Sequence, residues 1–219
     1  MATAAAPSAS EDFTRARRAM IDSQLRPSGV NDLTLIDAFM RVAREDYVAA
    51  DQRAVAYVDR SLPLGEGRAL TAPLSQARLL TEAKPKATDK ALLIAGGTGY
   101  LAAVLAPLVA SLDVVESDAR LSGSEGSKAG NWHSGALTGG WKKGGPYDLI
   151  VIDGAVETVP AALATQLADD GRIVTGTVVR GVTSIAVGRK VDKSVALLPL
   201  IEMGLPILTD FAAPKGWSF

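Results

Sequence analysis

The chain has 219 residues, 47% of them hydrophobic and 21% charged, with 23 Lys and Arg against 24 Asp and Glu, one histidine and no cysteine. That is enough apolar sequence for one domain with a sizeable core. A formal net charge of −1, with no basic run, excludes the electrostatic footprint of nucleic-acid or anionic-membrane binding, and the lack of cysteine excludes disulfides, thiolate catalysis and cysteine-ligated zinc.

Residues 1–10 are rich in Ala, Ser, Thr and Pro and lack the basic start and long Leu-rich run of a secretion signal. A disordered tail is expected there, followed by a single domain over 11–219. Residues 12–25 predict a helix with Phe13, Ala16, Met20 and Ile21 near one face, stopped by Pro27 and Gly29. Asn31 is placed to cap a second helix burying Ile36, Phe39, Met40 and Ala43. A polar helical stretch follows at 50–58. Two prolines and two glycines make 62–73 read as an ordered loop rather than a strand interior, and Pro73 suits the first turn of a helix over 73–83.

From Lys90 onward strand and helix alternate. Strands are expected at 91–94, 112–115, 147–152, 172–177, 183–188 and 194–202, and helices at 100–109 and 159–168. This pattern predicts an α/β fold with a doubly wound, mostly parallel sheet. The connections after Arg172 are too short for crossover helices, so the last strands should form an antiparallel hairpin at the sheet edge. Residues 91–112 carry only uncharged side chains and mimic a membrane span in length, but Gly96, Gly97, Gly99 and Pro107 interrupt them, which fits a buried βαβ unit. The glycine-rich stretch 118–147 reads as an irregular excursion with a short strand near 132–134. His133, the lone histidine, can build neither a multi-histidine metal site nor a triad. In its Gly/Ser surroundings it reads as a solvated loop residue, and no metal site is expected.

The richest segment is Lys90-Ala-Leu-Leu-Ile-Ala-Gly-Gly-Thr-Gly-Tyr100, followed by Asp113-Val-Val-Glu116. A buried strand, a glycine turn, a helix and a second strand ending in an acid form the ribose-and-phosphate end of a nucleotide-type cofactor site. Gly96, Gly97 and Gly99 let the backbone turn and a ligand approach the helix start. Glu116, about twenty residues on, is placed to accept from ribose hydroxyls. A tight turn with no ligand is the plainer alternative. Gly97-x-Gly99-x-x-Ala102 also fits a nicotinamide fingerprint, but about ninety residues precede it and no hydride-transfer pair stands out.

Met20-Ile-Asp-Ser-Gln-Leu-Arg-Pro-Ser-Gly-Val30, Phe39-Met-Arg-Val-Ala-Arg-Glu-Asp-Tyr-Val48, Ser61-Leu-Pro-Leu-Gly-Glu-Gly67, Ala69-Leu-Thr-Ala-Pro73, Gly97-Thr-Gly-Tyr-Leu101 and Tyr147-Asp-Leu-Ile-Val-Ile-Asp153 occur in order. Together they resemble the protein-L-isoaspartate O-methyltransferase family, over roughly residues 15–180. The resemblance implies a Rossmann-like methyltransferase fold with an N-terminal helical extension, S-adenosylmethionine as cofactor, and isoaspartyl-containing proteins or peptides as substrate. It implies methylation of the free α-carboxylate of an isoaspartyl residue, with later closure of the ester to a succinimide. A cytoplasmic location is expected, which the lack of cysteine permits. On this reading Thr71 stands where the family usually has a serine and would orient the substrate carboxylate. Gly97 and Gly99 would frame the amino-acid end of the cofactor, Glu116 the ribose, Ser117 the adenine side and Asp153 the pocket rim. Two of these also have a plainer reading: Thr71 as a cap for the helix at Pro73, Asp153 as a helix-capping or turn residue before Gly154. Gln76 is within reach of the same pocket. Three positions depart from the family pattern. Leu93 occupies the place of an acid that helps hold the cofactor's amino group, Ala95 that of the first glycine, and residues 135–137 that of an acid near the adenine. These departures leave open a non-catalytic relative that keeps the fold and acts as a binding module.

Overall fold

The computed structural model describes residues 9–122, 129–192 and 194–213. The tail expected at 1–10 falls on residues 1–8, outside the described residues; Ala9 and Ser10 already belong to the first helix. That helix, α1, spans Ala9–Met20 and runs on into a π-helical turn, Ile21–Leu25. Its inner face buries Met20, Ile21 and Leu25, and Gly29 at φ +86° ends the segment. Helix α2 spans Leu33–Arg41. Its cap is Asp32 rather than Asn31: the Asp32 carboxylate accepts from the Leu35 N–H at 2.9 Å, which satisfies one of the orphan donors of the first turn. The stretch after residue 50 is a 3-10 helix, Ala50–Val55.

Segment 62–73 departs from the expected loop. It forms a hairpin, β1 (Leu62–Gly65) and β2 (Arg68–Leu70), paired antiparallel with an irregular register between Pro63 and Gly65. The prolines are compatible with this because a two-stranded ribbon is all edge, and Gly65 and Gly67 take the positive φ values of the turn. Helix α3 spans Pro73–Ala83, with Pro73 in its first turn and Lys84 left-handed at its end.

The main sheet has seven strands in the order β5-β4-β3-β6-β7-β8-β9: β3 Lys90–Ile94, β4 Ser111–Glu116, β5 Asn131–Ser134, β6 Tyr147–Val156, β7 Leu167–Val179, β8 Val182–Val191 and β9 Ser194–Glu202. Strands β3 to β7 pair in parallel, and β7, β8 and β9 pair antiparallel. This is the mostly parallel sheet with an antiparallel edge that the spacing predicted. Helix α4 (Tyr100–Leu105) crosses from β3 to β4, and α5 (Ala119–Ser122) follows β4. Between β6 and β7 the helix is a single turn, α6, Ala161–Ala164, not the ten residues expected at 159–168. Strand β7 begins at Leu167 and takes over the rest.

Alternation sorts the strand side chains between two cores. Ala91, Leu93, Val114 and Val151 face the layer of α1–α4, whereas Leu92, Ile94, Val115, Ile150 and Ile152 face a thinner layer closed by Leu137, Leu163, Leu208 and Phe211. Among the described residues no helix is long and apolar enough to cross a membrane. His133 lies on β5 rather than in a solvated loop. Its ring stacks on Trp141 at 3.8 Å and its Nε2 sits 2.9 Å from Asp113, which also accepts from the Tyr147 hydroxyl.

Candidate active site

The sheet changes winding direction between β3 and β6, and ligands of open α/β sheets bind outside the carboxyl ends of the strands at that point. Here β3 runs into Ala95-Gly96-Gly97-Thr98-Gly99 and then α4. The N–H groups of Ala95 and Gly96 donate to the Val115 carbonyl at 3.0 and 3.3 Å, tying the loop to β4. Gly97 and Gly99 have φ of +56° and +95°, conformations that glycine adopts without strain. Ala95 adopts φ +63°, the same left-handed region with a Cβ attached, which costs about 1–2 kcal/mol. Gly96 is a glycine for packing: a Cβ there would lie 2.4 Å from Val114 Cγ1 and 2.9 Å from the Trp132 ring.

Register places one acid on each side of this loop. Ile94 pairs with Val115 on β4 and with Ile152 on β6, so Glu116 and Asp153 both lie level with Ala95. Each follows a residue of the α1–α4 face by two positions (Val114 and Val151), and both therefore project to that face. Two strand spacings separate them, roughly 10 Å.

Glu116 is completely buried. Its carboxylate accepts from the N–H groups of Gly97 (2.7 Å), Ser117 (2.9 Å) and Asp118 (3.0 Å). Arg68 of β2 completes the shell with two bonds of 2.6 and 2.9 Å, the bidentate fork that matches a carboxylate. Asp118 in turn pairs with Arg120, whose guanidinium reaches Glu66 at the hairpin tip at 3.7 Å. Ser117 is exposed. With Gly67, Arg68, Asp118, Leu208 and Asp210 it lines a surface cavity of about 340 Å³.

Asp153 lies inside β6, not in a turn, and accepts from Gln76 Nε2 at 2.6 Å. Gln76 Oε1 accepts from Arg44 Nη1 at 2.9 Å. Arg44 is also fully buried; it donates to the carbonyls of Ala56 (2.8 Å) and Thr71 (2.7 Å) and sits 4.6 Å from the centre of the Tyr100 ring. Thr71 does not cap α3. The cap position is Ala72, with no side-chain bond, and the Thr71 hydroxyl turns instead toward the Asp153 carboxyl. That approach has no well-formed hydrogen bond, so Thr71 Oγ1 and Asp153 Oδ1 are buried polar atoms lacking a partner. Such atoms are costly to bury. Burial holds the Asp153 carboxyl above the usual carboxylate range, opposed by Thr71, Gln76, Arg44 and Arg68. Burial likewise lowers the Arg44 guanidinium and lifts the Tyr100 phenol to about 12.

All seven residues singled out in the sequence thus stand at one edge of the sheet, though Gly96 has a packing reason and Leu93 is core, with no exposed surface. Sequence reasoning missed Arg44 and Arg68. A charged residue amid Val42, Ala43 and Tyr47 is a faint signal for the first; the second has none. On the far side of β2 a second cleft of about 640 Å³ is lined by Arg60, Ala69, Ala72, Ser75 and Gly204. The two clefts share Gly67 and Ile207.

Comparison with known proteins agrees with this layout. The family model described as protein-L-isoaspartate(D-aspartate) O-methyltransferase matches residues 15–196. A protein-L-isoaspartate O-methyltransferase of Roseiflexus castenholzii is 37% identical over 170 residues, 74% of this chain and 78% of that one. One from Methylorubrum populi is 36% identical over 169 residues, 74% and 79%. A solved protein-L-isoaspartate O-methyltransferase superposes with a TM-score of 0.75 at 22% identity, covering 88% of this chain and 65% of that one. A Plasmodium falciparum chain described as a β-aspartate methyltransferase in complex with S-adenosyl-L-homocysteine gives 0.71 at 14% identity, covering 90% and 98%. The chain belongs to the protein-L-isoaspartate(D-aspartate) O-methyltransferase family.

Proposed function

We propose that this protein transfers a methyl group from S-adenosylmethionine to the free α-carboxylate of isoaspartyl residues in proteins or peptides. The observation that carries the reading is the pair of acids bracketing a glycine turn, beside two buried polar atoms, Thr71 Oγ1 and Asp153 Oδ1, that lack partners. The residues present fit the cofactor: an acid at the end of β4 for a ribose diol, a buried glycine turn between the two acids that leads into α4, and unpartnered buried groups beside it. The cofactor supplies an electrophilic methyl carbon on a sulfonium, so the C–O bond forms as the C–S bond breaks and sulfur keeps the electron pair.

The protein's own work is positional. An isoaspartyl α-carboxylate is ionised near neutral pH, so no base is needed to make it a nucleophile. Holding it in line with the methyl carbon supplies most of the acceleration. The Thr71 hydroxyl donates to one carboxylate oxygen and directs the other toward the methyl group. Arg44 fixes that hydroxyl's backbone through the Thr71 carbonyl. The cleft beside Ala69 and Ala72 receives the peptide, and the cavity beside Ser117 receives the adenosine. The same reading places the reaction in the cytoplasm. A ribose diol held by Glu116 would take the place of the Arg68 fork.

Calorimetric titration with S-adenosylhomocysteine separates this reading from a scaffold that has lost its cofactor. Saturable heat at micromolar ligand is expected; no heat at high micromolar ligand contradicts it.

A further inference from the structure

The family's acid before the glycines is Leu93 here, packed in the core with no exposed surface, and the cofactor's α-amino group has no anion on β3 to meet. We propose that the acid has moved to the neighbouring strand: Asp153 on β6 is the residue that receives the α-amino group. This rests on the methyltransferase reading above.

The register makes the exchange direct. Leu93 pairs with Val151, both on the α1–α4 face, and Asp153 is two residues further on along β6, projecting to that face. A carboxylate there lies roughly 8 Å from the Leu93 position, one strand across and two residues nearer the carboxyl edge. It remains beside the glycine turn, level with Ala95. One oxygen is held by Gln76, which is itself held by Arg44, so the side chain is fixed. The other oxygen, Oδ1, is buried and makes no well-formed hydrogen bond, with the Thr71 hydroxyl the neutral donor turned toward the carboxyl. An ammonium is the donor such an oxygen lacks: it brings charge as well as a hydrogen bond. Glu116, level with Asp153 on the opposite side of β3, takes the ribose. The two carboxylates thereby receive the ribose and the amino-acid arm of one ligand, with the sulfur that joins these two parts lying between them beside the glycine turn.

The test uses three ligands on the intact protein: S-adenosylhomocysteine, its deaminated analogue, and 5′-methylthioadenosine, which lacks the amino-acid arm altogether. Wild-type protein should bind S-adenosylhomocysteine about 10- to 100-fold more tightly than the deaminated analogue, the range for one charge-assisted hydrogen bond. Asp153→Asn should remove that preference and leave 5′-methylthioadenosine affinity unchanged, which also reports an intact pocket. Equal binding of the first two ligands by wild-type protein overturns the assignment and needs no variant. So does a preference that survives in Asp153→Asn, or a parallel loss of all three ligands. Failure of wild-type protein to bind any of them contradicts the methyltransferase reading instead.

Discussion

Arg68→Ala should tighten cofactor binding while it loosens the fold. Arg68 holds Glu116 by two bonds of 2.6 and 2.9 Å, and its side chain is 13% exposed, so solvent screens the pair little. Removing one partner of a buried pair usually costs about 3–5 kcal/mol because a bare charge is left behind. Here three backbone N–H groups remain on the Glu116 carboxylate, and the cost falls to about 2 kcal/mol, the worth of a hydrogen bond to a charged group. For a chain of this length that lowers Tm by roughly 4–8 °C. Any ribose that reaches Glu116 in the wild-type protein must first undo the same fork. Relief of about 2 kcal/mol is roughly thirtyfold in Kd, so S-adenosylhomocysteine should bind Arg68→Ala about 10- to 30-fold more tightly. Calorimetry measures the affinity and a thermal melt the stability. Unchanged affinity would mean that the ribose never meets Glu116; weaker binding would mean that Arg68 contacts the ligand rather than competing with it.

Thr71→Val keeps shape and burial but removes the hydroxyl. It should lower kcat for methyl transfer about 10- to 100-fold with S-adenosylhomocysteine affinity within about twofold of wild type; equal losses in both would make Thr71 structural. Asp153→Asn should change the pH dependence of folding. The native carboxyl sits above its ordinary value of about 3.9 because of burial, so the native state holds a proton that the unfolded state releases, and wild-type stability falls as pH rises through that window. Denaturant unfolding of the ligand-free proteins from pH 4 upward should show the Asn variant gaining on wild type, with Arg44, Gln76, Thr71 and Arg68 still facing the site in both; parallel curves would contradict the burial argument. Gly96→Ala places a Cβ 2.4 Å from Val114 Cγ1 and should cost about 1–3 kcal/mol by overpacking, read as a lower denaturant midpoint at unchanged m value.

The parallel sheet was legible because its strands are short apolar runs between glycine and proline punctuation, and α3 because Pro73 opens it. The hairpin was not: Pro63 and the Gly65–Gly67 turn look like loop chemistry, and pairing between two three- or four-residue strands leaves no periodicity to count. The helix expected at 159–168 shrank because Leu167, which continues its apolar pattern, is claimed by the longest strand, a tertiary preference overriding local propensity. Within the candidate site, the position of Glu116 beside the glycine turn was legible from its spacing to the glycines. Its partner Arg68 was not, since a contact across 48 residues leaves no mark in either segment. Arg44 was hidden by the general rule that arginine stays at the surface; only the fold reveals three acceptors waiting for it. Asn31 and Asp32 are equally good caps by type, and the backbone chose the second.

The most direct test of the account is the rate of methyl incorporation from labelled S-adenosylmethionine into a synthetic isoaspartyl peptide, measured beside the same peptide carrying ordinary aspartate. The account predicts base-labile label in the isoaspartyl peptide and none above background in the control. Absence of label in both, from protein that binds S-adenosylhomocysteine, or equal label in the two peptides, would contradict it.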